Sequence, residues 1–314
     1  MQLLFAGTPA IAVPTLRHVA ARFPVVGVLT APDARAGRGR TLSPPAVKVA
    51  AEELGLTVLQ PPRLDEDARA AVRNLGPDML VSFAYGKIFG PKFMGIFPDG
   101  GLNVHPSLLP KYRGPSPIAA AILAGDSETG ITVQYISLYM DAGAVVAARR
   151  LPLTGEETTG SLTQRVAEQA GDLLVDTLER IEEGNAEPVP QNEQEASYCK
   201  LIEKEDGAID WTLEVEHIER MVRAYNPWPG AFTDYDGKRL TIWEAGIYNG
   251  ERARTCEHSQ PGSVCGVDKG HGILVKTGDG VLAVRRLQLQ SGKPVDWKSF
   301  INGHRDFPGT VLGG

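Results

Sequence analysis

Between Leu3 and Ile181 short apolar runs alternate with segments whose apolar residues recur at helical spacing, and this alternation leaves few folds open. LLFAG, VVGVLT and the almost continuous DMLVSFA have strand length and no polar face. A strand apolar on both sides must be covered on both sides, which a parallel sheet packed between helices achieves. Helical spacing fills the intervals 9–21, 46–54, 65–75 and 116–124. Leu162, Val166, Leu173, Leu174, Leu178 and Ile181 trace one face of a long helix stopped at Gly184. Further strands are read at TVLQ, GLNVH, GITVQYISL and AVVAARRLPL. The expectation is a doubly wound, mainly parallel α/β domain over residues 1–184.

The 314 residues exceed what one hydrophobic core usually serves. Residues 185–207 are polar, hold Pro188 and Pro190, and carry no sustained period, which is a linker composition. Over 208–314, Val215, Ile218, Met221, Val222 and Tyr225 form one helix face that Asn226-Pro227 ends. The strands AFTDY, RLTIWEA, GSVCGV, GILVKT and GVLAVRRLQL follow, separated by Gly-rich turns. So few short strands suit a small, OB-like β-barrel better than a sandwich. No apolar run reaches the ~18 residues of a membrane span, and the first residues enter a strand pattern rather than a signal-peptide pattern. A cytoplasmic protein with reduced Cys199, Cys256 and Cys265 is therefore expected. The cysteines and histidines lack metal-ligand spacing, and no metal is expected. Trp211, Trp228, Trp243 and Trp297 are expected in cores or domain interfaces.

The net charge of −6 argues against broad coating of nucleic acid. Its distribution is more informative. From Ala34 to Lys48 the chain carries Arg35, Arg38, Arg40 and Lys48 and no acid. Such a loop can make a focused phosphate contact, since fields reach over about 8 Å at physiological salt; a solvated basic loop is the plain alternative. Lys238, Arg239, Arg285 and Arg286 in the carboxy-terminal strands are weaker candidates of the same kind.

The turn Ala6-Gly7-Thr8-Pro9 sits where a dinucleotide fold places its glycines, but the three-glycine pattern is absent and Pro9 lacks a donor. Chemistry points instead to GGLNVHPSLLPKYRGPSPI. Asn103 and His105 lie two apart at the carboxyl end of an apolar strand, so both emerge on one face where open α/β sheets bind ligands. Acyl transfer to an amine needs a donor for the oxyanion and an acceptor for the amine proton. Asn103 and a protonated His105 can serve the first need, and Asp141, in Met-Asp-Ala-Gly, can serve the second. Asp141 could instead be a turn aspartate capping its own backbone.

NVHPSLLPKYRG followed by MDAG resembles the formyltransferases that use 10-formyltetrahydrofolate. The resemblance implies that Asn103, His105 and Asp141 are catalytic, and that Phe83, Ala84, Tyr85 and Gly86 meet the pterin. It also implies that Ser107, Leu108, Leu109 and Pro110 form the next folate-side loop. PDARAGRGRTLSPPAVK, YCKLIEKEDGAIDW and RAYNPWPGAF resemble methionyl-tRNA formyltransferases, whose insertion meets the tRNA acceptor end. This implies methionyl initiator tRNA as partner, with Arg38 matching the family's key basic residue; Arg35, Arg40 and Lys48 are expected to join it in contacting the tRNA, and a monomer is expected. One region departs from that pattern. Ile136, Ser137, Tyr139 and Ala144 stand where further acidic and glycine residues are usual, and MDAGAVVA is similar to formyltransferases of amino-sugar nucleotides. That acceptor is the enzymatic alternative; a catalytically inert RNA-binding module is the non-enzymatic one.

Overall fold

The computed structural model describes residues 1–36 and 41–313, so Arg38 and Arg40 lie outside the described residues. In chain order the first elements are β1 (Leu3–Gly7), α1 (Val13–Ala20), β2 (Val25–Leu29), β3 (Ala34–Ala36), β4 (Thr41–Ser43), α2 (Ala46–Glu53), β5 (Val58–Leu59) and α3 (Glu66–Leu75). Next come β6 (Met79–Phe83), α4 (Pro91–Met94), β7 (Gly101–His105), α5 (Pro117–Ala124), β8 (Glu128–Tyr135), β9 (Val145–Pro152) and α6 (Thr159–Glu182). The local causes are visible at α3. The Asp65 side chain accepts from the Ala68 N–H at 3.1 Å, Glu66 and Asp67 meet the positive end of the helix, and Gly76 ends it at φ +64°.

Among the described residues the larger sheet runs β5-β2-β1-β6-β7-β8-β9. Pairing is parallel from β5 to β7 and antiparallel at β7–β8 and β8–β9. Every residue of β1 and β6 is buried, as strands covered on both faces require. Strand order reverses between β1 and β6, which places the crevice of such a sheet beyond Gly7 and Phe83. Gly7 is needed there for space: a Cβ would meet the Phe83 carbonyl oxygen and the Phe5 ring, each at 3.0 Å. Beyond Phe83, the Tyr85 ring turns into the core and begins a ladder with Phe89, Phe93 and Phe97.

The chain packs into two compact units. The first comprises residues 1–117, 128–152 and 162–199; the second comprises 118–127, 153–161 and Lys200–Gly314. The second unit contains α7 (Val215–Ala224), β10 (Ala231–Tyr235), β11 (Lys238–Ile247), β12 (Val264–Asp268), β13 (Gly272–Lys276), β14 (Val281–Leu289), β15 (Val295–Asp296) and α8 (Trp297–Gly303). Its strands pair antiparallel in the order β10-β11-β14-β13-β12, with β15 on β14. Leu240, Ile242, Val275, Leu282 and Val284 pack with Ile218 and Val222 of α7 and Phe300 of α8.

Three features differ from the sequence reading. Residues 185–199, of linker composition, are laid on the first unit through bridges Val145–Val189 and Arg113–Tyr198; their polar side chains are spent on hydrogen bonds there. The boundary by packing accordingly falls after Cys199, and 118–127 and 153–161 go with the second unit. Cys256 and Cys265, expected as free thiols, are joined in a disulfide with Cα atoms 5.5 Å apart. The short helical stretch 251–256 packs Cys256 fully buried beside β12, which brings it to Cys265. Finally, Trp228 is 57% exposed, unlike the buried Trp211, whose Nε1 donates to Thr233 Oγ1 at 3.0 Å. Among the described residues no helix is long and apolar enough to cross a membrane.

Candidate active site

The antiparallel β7–β8 pair sets Asn103 opposite Gln134 and His105 opposite Thr132. The turn between β8 and β9 then carries Asp141 back over the end of β7. Asn103 Nδ2 donates to Asp141 Oδ1 at 3.3 Å, Gln134 Nε2 donates to the same oxygen at 3.2 Å, and the Gly114 N–H donates to Oδ2 at 2.9 Å. His105 Nδ1 lies 3.6 Å from Asp141 Oδ2. The three residues singled out by sequence are therefore gathered around one carboxylate, and Asp141 holds that position at φ +50°.

His105 is 4% exposed. Its Nε2 is 2.9 Å from the Tyr112 carbonyl oxygen, so Nε2 bears a proton and donates. Burial lowers its proton affinity, against the opposing pull of Asp141 and of the Tyr112 carbonyl. That direction favours a neutral resting imidazole with Nδ1 toward the carboxylate side. Over the pH interval just below about 6.5, the unfolded chain binds a proton here that the folded chain refuses. The contribution of neutral His105 to stability is therefore lost as pH falls through that interval. Unfolding free energies measured from pH 8 to pH 5 are expected to fall more steeply for the wild type than for His105→Gln; parallel curves would contradict this assignment.

The loop after β7 is folded back onto β8. Ser107 is buried with its Oγ on the Lys111 carbonyl at 2.6 Å, Thr132 Oγ1 donates to the Ser107 carbonyl at 2.7 Å, and the Leu109 N–H donates to Thr132 Oγ1 at 3.2 Å. Leu108, Leu109 and Pro110 are half-buried. At the end of β6, Phe83 is buried while Ala84 and Gly86 are exposed, at φ +53° and +85°. Thr8 Oγ1 donates to the Tyr85 carbonyl at 2.9 Å, tying this loop to β1. Burial pushes the Tyr85 hydroxyl up to about 12.

The basic residues are less uniform. Arg35 is exposed on the β3–β4 hairpin. Lys48 is not a free cation: both oxygens of Asp33 accept from its Nζ at 2.9 Å, and Gln60 holds Asp33 in turn. Arg239 is engaged as well, with its guanidinium 3.5 Å from the Phe232 ring centroid.

A profile for formyl transferase matches residues 10–178, and one for the formyl transferase C-terminal domain matches residues 201–305. The chain belongs to the formyl transferase family. It is similar to the methionyl-tRNA formyltransferase of Treponema denticola, 44% identical over 315 residues with 98% of each chain covered. It is also similar to that of Treponema pallidum, 46% identical over 318 residues with 96% of each covered. Among solved structures, HypX from Aquifex aeolicus in complex with tetrahydrofolic acid shares the fold with a TM-score of 0.64 at 19% identity. That likeness covers 96% of this chain and 46% of HypX, so the chain spans about half of that structure.

For this formyl transferase, sequence reading missed Gln134, Gly114, Arg113 and Gln191. Gln134 had a signal, as the one amide inside an apolar strand. Arg113 and Gln191 had none, because their meeting depends on the return of residues 185–199. Among the described residues no group of three or more His, Cys, Asp or Glu is placed to hold a metal ion.

Proposed function

We propose that the chain transfers the formyl group of 10-formyltetrahydrofolate to the α-amine of methionine esterified to initiator tRNA, in the cytoplasm. The observation that carries the acceptor is the likeness to a methionyl-tRNA formyltransferase along 98% of both chains. The exposed main chain at Ala84 and Gly86, with no atom within 4 Å of a Cβ built on Gly86, fits the edge of a pterin ring. The bound folate supplies an activated formyl carbon. Asn103 spends one amide N–H on Asp141, and its second serves the negative charge that develops on the formyl oxygen; one such donor is worth about 3 kcal/mol in comparable sites. His105 Nδ1 and the Asp141 carboxylate together accept the proton that the attacking amine loses and return it to the departing nitrogen. One N–C bond forms, one breaks, and the proton count is unchanged.

An amino-sugar nucleotide is the second reading, favoured by Ala144 and by the lack of a carboxylate from Ile136 to Met140. Against it, the three residues that precede Asp141 in the chain, Leu138, Tyr139 (81% exposed) and Met140, are large, apolar and exposed, a composition better suited to a thioether than to a sugar. Formyl transfer measured side by side on charged initiator tRNA, charged elongator tRNA and an amino-sugar nucleotide is expected to favour the first. Transfer to the sugar alone, or none to initiator tRNA, overturns the acceptor reading.

A further inference from the structure

We propose that Gln191, anchored by Arg113, is a positioning residue for formyl transfer: its carboxamide fixes the main chain of the Asp141 turn and so aims the Asp141 carboxylate at His105. The proposal rests on the reading of Asp141 as the carboxylate that handles the amine proton. Asp141 occupies the left-handed region, which aspartate enters more readily than most residues but which still costs free energy unless its surroundings insist. Gln191 Nε2 supplies the insistence, donating to the Asp141 and Gly143 carbonyl oxygens at 2.8 Å each and facing Gln134 Oε1 at 3.1 Å.

The orientation of that amide is determined. Arg113 can only donate, and its Nε and Nη2 lie 3.1 and 2.8 Å from Gln191 Oε1, so the NH₂ end must face the turn. Arg113 is 1% exposed and is itself held by both oxygens of Glu193, at 2.9 and 2.7 Å, and by the Tyr198 hydroxyl at 3.1 Å. The next residue, Gly114, gives its N–H to Asp141 Oδ2. A buried cation thus grips the carboxylate from one side through the following peptide and from the other through Gln191. Gln191, Glu193 and Tyr198 all come from the stretch of linker composition, which makes that stretch part of the site.

The test compares Gln191→Glu and Gln191→Met with the wild type, using whichever amine the wild type formylates, so that failure of the acceptor reading leaves the comparison intact. Gln191→Glu keeps an acceptor for Arg113 but sets carboxylate oxygens against the two carbonyls; Gln191→Met removes both contacts at similar size. Both are expected to lower kcat by 10- to 100-fold with KM for donor and acceptor within threefold, as misplacement of a reacting group predicts. In the neutral Gln191→Met, the acid limb of the pH–rate profile is also expected to move to lower pH, since Asp141 would no longer raise the proton affinity of His105. A purely structural role would not move that limb. The proposal is overturned by kcat within threefold of wild type, by a loss confined to KM, by an unmoved acid limb, or by failure of both variants to fold. Wild-type activity in Asp141→Asn would instead sink the reading of Asp141 itself.

Discussion

Asp141→Asn is expected to lower kcat by about 10²- to 10³-fold, the scale of losing a proton acceptor in the transition state. The substitution separates chemistry from backbone, because asparagine tolerates the left-handed region as readily as aspartate. What it changes is hydrogen-bond polarity. Oδ1 accepts from Asn103 and Gln134, and Oδ2 accepts from the Gly114 N–H and faces His105. An amide has only one oxygen, so either rotamer turns its NH₂ toward a donor and leaves that donor unsatisfied, at about 1–3 kcal/mol. A moderate fall in stability should therefore accompany a much larger fall in turnover. Steady-state kinetics together with urea unfolding would separate the two, and kcat within tenfold of wild type would remove Asp141 from the chemistry.

The largest expected effect on the fold comes from one methyl group. Gly143→Ala would place a Cβ 1.7 Å from the Tyr135 carbonyl oxygen, and the obstacle is backbone, which cannot rotate away. Space, not φ, makes glycine necessary there. The turn must shift, which breaks the Gln191 bond to the Gly143 carbonyl and moves Asp141 two residues earlier. A loss of about 3 kcal/mol is expected, at the upper end of ordinary overpacking, with activity falling alongside. Gly303→Ala is the contrasting case. Nothing lies within 4 Å of its built Cβ, and the change should be neutral or slightly stabilising. Equal unfolding midpoints for wild type and Gly143→Ala would show that the turn is less constrained than its geometry implies.

The parallel half of the sheet was legible because β1 and β6 are covered on both faces and therefore carry no polar residue on a solvent side. The trio was legible because two of its members share a strand end and the third sits in a recognisable turn. What escaped depends on long-range return of the chain. The β3–β4 hairpin was read as a plain loop, since strands of three residues each are too short to establish a period. The pairing of Lys48 with Asp33 was not anticipated, because the two lie 15 residues apart in the chain. Polar composition made 185–199 look like a tether, whereas its Gln191, Glu193 and Tyr198 satisfy a buried arginine and Gln191 also holds the Asp141 turn. The proton affinity of His105 was not legible for a related reason: sequence shows the neighbouring acid but not the burial that lowers it.

The interleaved chain path has a consequence for synthesis. The polypeptide passes between its two compact units five times, and residues 118–127 and 153–161 pack with a unit that begins in earnest only at Lys200. A nascent chain of about half the full length therefore carries Ile118 and Ile122 of α5, buried in the finished protein, before most of the unit they belong to has been made. Growth at about 5–20 residues per second leaves those side chains waiting for several seconds. Vectorial folding of this protein cannot proceed as two beads in succession, and the waiting segments are where a ribosome-associated chaperone would find a grip.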